Sequence, residues 1–369
     1  MAVDKVSLEQ RLAVACESTY TQTAMKKDIR KLTPEVLNAW ALEAGVPAYR
    51  ARQIYAWLWQ KGALEFAEMT DLPLALRQQL ADAFEIKPIQ ISAQQISRDG
   101  TIKTAFRLHD GNQVEGVMIP SGGRNTACVS SQVGCSLNCK FCATGYLDRQ
   151  RNLEAAEIVD QVRMLDQLAR EHTGKGLSNI VYMGMGEPLL NYQEVMRSVE
   201  LLTSPSGLGM SPQRITVSTA GIAKMIKRLA DDNTGVQLAL SLHAANDVAR
   251  TEIMPINESN GLDLLAEAMS YFYDKTGNRP TLEYTVMEGV NDSVKEMEEL
   301  AAFARRFPAK INLIEYNPIS MADFRPSSQV GLQAFADGLE RKRLIVNVRR
   351  SRGKDIDAAC GQLANKLDN

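Results

Sequence analysis

Beyond residue 126 the chain alternates between strand-type and helix-type stretches, and this alternation limits its fold more than any other feature. Strand-type runs cover 126–133, 179–183, 214–218, 236–242, 281–287 and 310–315. Stretches of helical period separate them, among them 153–172 and 263–273. Strands separated by helices pair in parallel through crossover connections, because a hairpin leaves no room for the helix. About six such units, with no second nucleotide-binding fingerprint, predict a partial barrel rather than a closed eight-fold one. In such folds ligands bind at the C-terminal ends of the strands.

The cysteines single out one of those ends. There are six, at Cys16, Cys128, Cys135, Cys139, Cys142 and Cys360, and half fall in the run C-S-L-N-C-K-F-C. Clustering of this kind argues for a metal centre rather than a secreted disulfide framework. Three thiolates leave a tetrahedral zinc site one ligand short, so zinc requires a fourth from elsewhere. A [4Fe–4S] cluster held by the same three keeps one iron open to a small molecule. Polar residues at successive strand ends suit such a molecule. Gly184, Gly186 and Glu187 follow one strand, Ser218 and Thr219 end the next, then come Ser241, Leu242 and His243, and finally Asn317. Glycines admit a ligand close to the backbone, and Glu187 can accept from an ammonium group.

Residues 1–31 are polar and show no pattern, so Cys16 reads as incidental. Thr33-Pro34-Glu35 is a helix start, with Thr as N-cap and Pro at the first position. Three helices across 32–90 make a small module. Its Arg50, Arg52, Lys61 and Arg77, beside Tyr49 and Trp57, offer either RNA contacts or a solvated face. Residues 91–125 hold a β-hairpin around Asp110-Gly111. On its second strand Glu115 shares a face with Val117 and Ile119, as an edge contact with solvent or as a buried acid–base group. The barrel is assigned to 126–350 and a C-terminal segment to 351–369.

Composition is ordinary for a globular protein, 45% hydrophobic and 23% charged over 369 residues. With a net charge of −2, any nucleic acid must be held by a local patch. Residues 341–354 supply one, with seven Lys or Arg and no acid. The alternative is an edge strand charged against aggregation. No apolar run reaches the length of a membrane span. No signal-peptide core opens the chain, and L-A-V-A-C at 12–16 follows Glu9, Gln10 and Arg11 instead of an apolar stretch. The expectation is a cytoplasmic monomer with no membrane partner.

The three-cysteine run, followed by Ala143-Thr144-Gly145, resembles the radical S-adenosylmethionine (SAM) superfamily. Six stretches sharpen the resemblance: R-N-T-A-C-V-S-S-Q-V-G-C-S-L-N-C-K-F-C, G-M-G-E-P-L-L-N, R-I-T-V-S-T-A-G, L-S-L-H-A-A-N-D, K-I-N-L-I-E-Y-N-P and D-I-D-A-A-C-G-Q-L-A. Together they are similar to the RlmN/Cfr family of radical SAM RNA adenosine methyltransferases. The resemblance implies an α/β fold, a partial (β/α)6 radical SAM barrel with an N-terminal helical accessory RNA-binding domain and a linking β-hairpin. It implies a [4Fe–4S] cluster on Cys135, Cys139 and Cys142, and SAM held by Gly186, Glu187, Ser218, Ser241, Leu242, His243 and Asn317. Two SAM molecules per turnover and a low-potential electron donor follow from the same resemblance. The implied substrate is C2 of adenosine in 23S rRNA, with tRNA as a second substrate. A paralogue with the same cysteines methylates C8 instead. A non-catalytic iron–sulfur electron-transfer or RNA-binding protein is the alternative of another class.

Two cysteines outside the run carry the reaction in this family. By position alone, Cys128 and Cys360 read as small buried hydrophobes. Cys128, Ser130 and Gln132 share a strand face that a barrel would turn inward. The resemblance makes Cys360 the methyl acceptor, since adenine C2 is electron-poor and has no nucleophilic lone pair. A 5′-deoxyadenosyl radical from a second SAM then removes hydrogen from that methyl. The carbon radical adds to adenine as a covalent protein–RNA adduct, and Glu115 accepts a proton. Cys128 attacks the sulfur of Cys360, which releases the RNA and leaves a disulfide. The target base must be unstacked to reach the site, and the basic run before Cys360 would hold its backbone.

Overall fold

A computed structural model describes residues 26–365; Cys16 and most of the polar N-terminal segment lie outside the described residues. Contacts divide the chain into two units, one of residues up to Ile54 with Ala63–Ile86, the other of Tyr55–Gly62 with Lys87 onward.

The smaller unit is built on three helices, α1 (Pro34–Glu43), α2 (Ala48–Ala56) and α3 (Leu74–Ala83). Thr33 caps α1: its hydroxyl accepts from Val36 N at 3.4 Å, and Pro34 stands in the first turn, where no amide hydrogen is needed. Leu37, Ala41, Ile54, Leu76 and Leu80 are buried in its core. Lys27–Asp28 pairs in parallel with Phe84–Glu85. Arg30 and Asp28 form a buried ion pair at 3.0 Å. Residues 27–31, polar enough to read as part of the N-terminal segment, are built into this unit through that strand pairing, the buried Ile29 and the Asp28–Arg30 pair. Arg50 donates to Gln53 and to Asp71 O, and Arg77 to Ala67 O. Two of the basic side chains offered for RNA are thus tied to their own unit.

The larger unit holds one ten-stranded sheet whose spatial order follows chain order without a break. The strands are β1 (Gln90–Ile96), β2 (Ile102–Arg107), β3 (Gln113–Ser121), β4 (Arg124–Cys128), β5 (Asn179–Tyr182), β6 (Ile215–Thr219), β7 (Gln237–Ser241), β8 (Thr281–Val286), β9 (Lys310–Glu315) and β10 (Val346–Arg349). From β1 to β4 the pairings are antiparallel. From β4 to β10 every pairing is parallel. The connections carry α4 (Ala155–Thr173), α5 (Tyr192–Thr203), α6 (Ala223–Asp232), α7 (Asp247–Ile253), α8 (Leu262–Thr276), α9 (Val294–Ala304) and α10 (Gln329–Arg341). The ladder stays open, with β1 and β10 at its edges. This is the partial barrel expected from the βα alternation, β4–β9, extended by β10 at one end and by the antiparallel strands β1–β3 at the other. The basic run and the edge strand, set against each other by the sequence, are one element, β10 and its flanks. No helix among the described residues is long and apolar enough to cross a membrane.

The strand expected over 126–133 is broken: it leaves the large sheet at Cys128, and Gln132–Val133 pairs separately, antiparallel, with Arg151–Asn152. Ser130 turns its hydroxyl to Glu115 O at 2.6 Å, and Gln132 Oε1 accepts from Glu187 N at 2.8 Å. The break at 129–131 frees these side chains to satisfy neighbouring backbone, and of Cys128, Ser130 and Gln132 only Cys128 lines a cavity.

Glu115 is neither at a solvent edge nor alone. Its carboxylate lies 3.0 Å from Lys103 Nζ, with 0% and 1% of the two side chains exposed. Lys103 is the diagonal cross-strand neighbour, since Glu115 pairs in register with Ala105. A buried pair broken at one end strands the other charge in low dielectric. Lys103→Met should therefore lower stability by about 3–5 kcal/mol, read as an earlier urea or thermal transition. Lys103→Met with Glu115→Leu should recover most of the loss. A single variant as stable as the parent would refute the pairing.

Candidate active site

The run Cys135–Cys142 forms an irregular loop beyond β4. Leu137 and Phe141 pack into an apolar floor with Ile253, Met254, Met287 and Tyr316, and the three cysteines lie against it. Asn138 takes a left-handed conformation, φ 53°, which Asn tolerates better than most residues. Lys140 N donates to Ile253 O at 3.0 Å, tying the loop to the end of α7. All three cysteines line one cavity of about 150 Å³. Burial pushes their thiols up, Cys135 to about 11 and Cys139 and Cys142 also above the usual thiol value. Free thiolates are disfavoured there, and a metal centre that takes thiolate ligands relieves that penalty. Among the described residues no three His, Cys, Asp or Glu gather around a single-ion position. The protein ligands of a four-iron cluster each bind a different iron, so three thiols spaced around one cavity fit that donor set.

Gly186, Glu187, Ser218, Ser241 and His243 line the same cavity. The hydroxyls of Ser218 and Ser241 lie 3.3 Å apart. Glu187 accepts from Leu189 N at 3.0 Å and from Ala220 N at 2.7 Å. Burial nevertheless outweighs those bonds and pushes its carboxyl up to about 7. His243 Nδ1 accepts from Thr285 N at 3.0 Å, which leaves the proton on Nε2. Burial, with Arg250 nearby, pulls the imidazole down to about 3, so it is neutral.

The glycines border the cavity and also make room for the chain behind them. A Cβ at Gly184 would lie 2.7 Å from Ser130 Oγ, and one at Gly186 would lie 2.4 Å from Gln132 Cβ. They let the 129–132 backbone approach.

Two expected contacts are not in the cavity wall. Leu242 is fully buried; its amide donates to Glu283 O at 3.0 Å and its carbonyl accepts from Arg250 Nε at 3.1 Å. Asn317 donates to Cys360 O at 3.3 Å and so holds the C-terminal segment. Conversely, Glu283 and Thr285 of β8 line the cavity and were not singled out. The signal was present: Leu282, Tyr284 and Val286 alternate with Glu283 and Thr285, so one face of a buried parallel strand is polar.

Arg250 is also outside the sequence reading. It is fully buried. Its guanidinium donates to Leu242 O, to Ala220 O at 2.5 Å and to Asn257 Oδ1 at 2.8 Å. It thereby joins the ends of β6 and β7 and leaves a positive charge near Cys139.

The C-terminal segment is laced over these strand ends. Ala143 N donates to Gly361 O and Thr144 Oγ1 to Leu363 O, both at 2.7 Å. Gln362 Nε2 donates to Pro318 O at 3.0 Å. Upstream, Gly353 N donates to Asp99 Oδ2 at 3.0 Å and Ser97 Oγ to Asp355 Oδ1 at 2.5 Å. Cys360, between these anchors, lines the cavity of the three cysteines and also a second cavity of about 90 Å³. Cys128 lines the second cavity with it. Both are free thiols. Cys128 is buried, and burial pushes its thiol up to about 12. Cys360 is exposed at its surface, yet the protein packed around it also pushes its thiol up. Glu115 lines neither cavity; Ala364 N caps its carboxylate at 2.8 Å.

Residues 129–304 match the model of the radical SAM superfamily, and residues 27–86 match that of the ribosomal RNA large subunit methyltransferase N-terminal domain. The chain is 54% identical to a probable dual-specificity RNA methyltransferase RlmN of Cytophaga hutchinsonii, over 95% of this chain and 96% of the relative. It is 43% identical to the dual-specificity RNA methyltransferase RlmN of Anaeromyxobacter dehalogenans, over 91% of each. The crystal structure of a radical SAM methyltransferase from Sphaerobacter thermophilus superposes with a TM-score of 0.86 at 42% identity, covering 91% of this chain and 99% of that one.

The link between the cysteine loop and the C-terminal segment can be tested directly. Thr144→Val removes the bond to Leu363 O, a contribution of about 1 kcal/mol. Amide hydrogen exchange over 360–365 should quicken by about three- to tenfold, with the rest of the sheet unchanged. Equal exchange in both proteins would show that the hydroxyl holds nothing.

Proposed function

The chain belongs to the RlmN family of radical SAM RNA methyltransferases, and from that premise we propose that it methylates C2 of adenosine in 23S rRNA and in tRNA through a carbon carried on Cys360. One observation carries the reading. Cys360 borders both the cavity of Cys135, Cys139 and Cys142 and the cavity that holds Cys128. A thiol that passes a carbon from cofactor to base needs access to both.

Cys135, Cys139 and Cys142 would hold a [4Fe–4S] cluster, with SAM beside it against Gly186, Glu187, Ser218, Ser241 and His243. When bound, these groups supply the methyl carbon and the one-electron chemistry that activates it, at two SAM per turnover and with a low-potential electron donor. The chain's own residues do the rest. Glu187 accepts from the cofactor's ammonium group. His243, neutral with its proton on Nε2, donates without adding charge. Asn317 steadies the Cys360 carbonyl, and Leu242, its amide and carbonyl both bonded within the protein, fixes its neighbours Ser241 and His243 on the cavity wall. Cys360 takes the carbon and presents it to the base. Glu115 accepts the proton displaced from C2; since Ala364 N caps it, this role requires that contact to open. Cys128 then resolves the adduct.

The basic residues that follow β10, Arg350, Arg352 and Lys354, would hold phosphates while an unstacked adenine enters beside Cys360. The smaller unit would add further RNA contacts. The reaction suits a reducing cytoplasm, where thiols restore the Cys128–Cys360 pair after each turnover.

Anaerobic incubation of the cluster-loaded protein with SAM should place a methyl group on Cys360, read by peptide mass. Nucleoside mass spectrometry of the RNA product should match a 2-methyladenosine standard. An unmodified Cys360 in a competent preparation, or an 8-methyladenosine product, would overturn the reading. Cys128→Ala should accumulate a covalent protein–RNA species.

SAM binding should also follow pH. Glu187 is a carboxylate above pH 7 and neutral below it. Affinity measured by equilibrium dialysis should therefore weaken as pH falls from about 8 to about 6. In Glu187→Gln it should be weaker throughout and flat over that range. A parent curve with no slope would remove Glu187 as the ammonium partner.

A further inference from the structure

Arg349 ends β10 and lines the second cavity with Cys128 and Cys360. Its guanidinium lies 3.3 Å from Glu283 Oε2. Glu283 faces the other cavity and is 4% exposed. Asn312 Nδ2 donates to the second carboxylate oxygen at 2.8 Å, and Asn347 Nδ2 donates to Asn312 Oδ1 at 3.3 Å. Ser241, Glu283, Asn312 and Asn347 stand opposite one another on β7, β8, β9 and β10. A polar row thus crosses four neighbouring strands and tethers Arg349 beside the two thiols.

Stability explains only the Glu283 end of this arrangement, a buried carboxylate that needs a partner. The Arg349 side chain is 43% exposed, and ion pairs open to water contribute little. A guanidinium keeps its charge at every working pH. Cys128 faces the opposite difficulty. The residues paired with it on β3 and β5 are Val117 and Val181, and burial keeps its thiol protonated. The ionisable groups on its cavity wall are Cys360, Arg349, Arg350 and Arg352. Cys128 does not line the cavity of the three clustered cysteines.

We propose that Arg349, held by Glu283, is a positioning residue that stabilises the Cys128 thiolate for its attack on the sulfur of Cys360. The inference rests on the function proposed above and adds a residue to it. In the step, the Cys128 thiolate forms an S–S bond while the bond between the Cys360 sulfur and the carbon on adenine breaks. The electron pair of that bond leaves with the carbon, which takes a proton and becomes the methyl group. Only the thiolate has the pair that opens this exchange, so a cation at its side acts on the rate of release.

The test is the pH profile of Cys128 labelling in the full-length, cluster-loaded protein under anaerobic conditions. A Cys360→Ala background removes the competing thiol. Methyl methanethiosulfonate is the probe, and the Cys128 peptide is quantified by mass. Arg349→Met should move the profile to higher pH, slowing labelling about tenfold at a given pH for each unit moved. Arg349→Lys should keep most of the parent profile. Should Arg349→Met not fold, Arg349→Gln carries the same comparison. Superimposable profiles would overturn the proposal. So would a uniform loss of rate with no change in profile, which means that Arg349 only shapes access. Neither SAM nor RNA takes part, so this result is independent of whether Cys360 is methylated.

Discussion

Two hydrogen bonds join the cysteine loop to the C-terminal segment, from Ala143 N to Gly361 O and from Thr144 Oγ1 to Leu363 O, and they decide where Cys360 can act. The groups they join are more than 200 residues apart in the chain. Parallel pairing first gathers the C-terminal ends of β4 to β9 on one side of the sheet. The cysteine loop lies at that side because it follows β4 directly. Holding the tail to the loop then draws Cys360 across the strand ends. Its place between two cavities follows from those steps.

The interior around this junction carries charge, and each charge is met by a specific partner. Arg250 is satisfied by carbonyl oxygens and Asn257, and Glu187 by backbone amides. Lys103 meets Glu115, and Arg349 meets Glu283. Buried polar groups without partners are costly, whereas satisfied ones hold one arrangement against its alternatives. The carbonyls that bind Arg250 neutralise none of its charge, so its field persists near Cys139. The same low dielectric raises the thiols. A site of this kind keeps its cysteines protonated until a metal or a neighbouring cation changes the balance.

The reading from sequence succeeded where the determinant is local. Thr33 and Pro34 start a helix because a hydroxyl three residues from an amide is enough to cap it. Cys135, Cys139 and Cys142 reach one cavity because eight residues of loop cannot separate them far. It erred where a distant partner intervened. Ser130 and Gln132 bond to the backbone of Glu115 and Glu187, and the strand breaks between Cys128 and Gln132, so alternation past Cys128 was misleading. Lys27–Lys31 look like a solvated segment until Asp28 and Arg30 pair.

What the sequence alone determined was the order of elements, the parallel ladder with its ligand end, the cysteine run and the family. Period, caps and spacing act over a few residues, and they are written in the chain. The tertiary structure decided which strand-end groups face the cavity. Leu242 and Asn317 were turned to Arg250 and Cys360, Glu115 was closed under Ala364, and Glu283 and Arg349 were set beside the thiols. Those outcomes depend on register between neighbouring strands and on a tail returning across the sheet, and no local pattern encodes either.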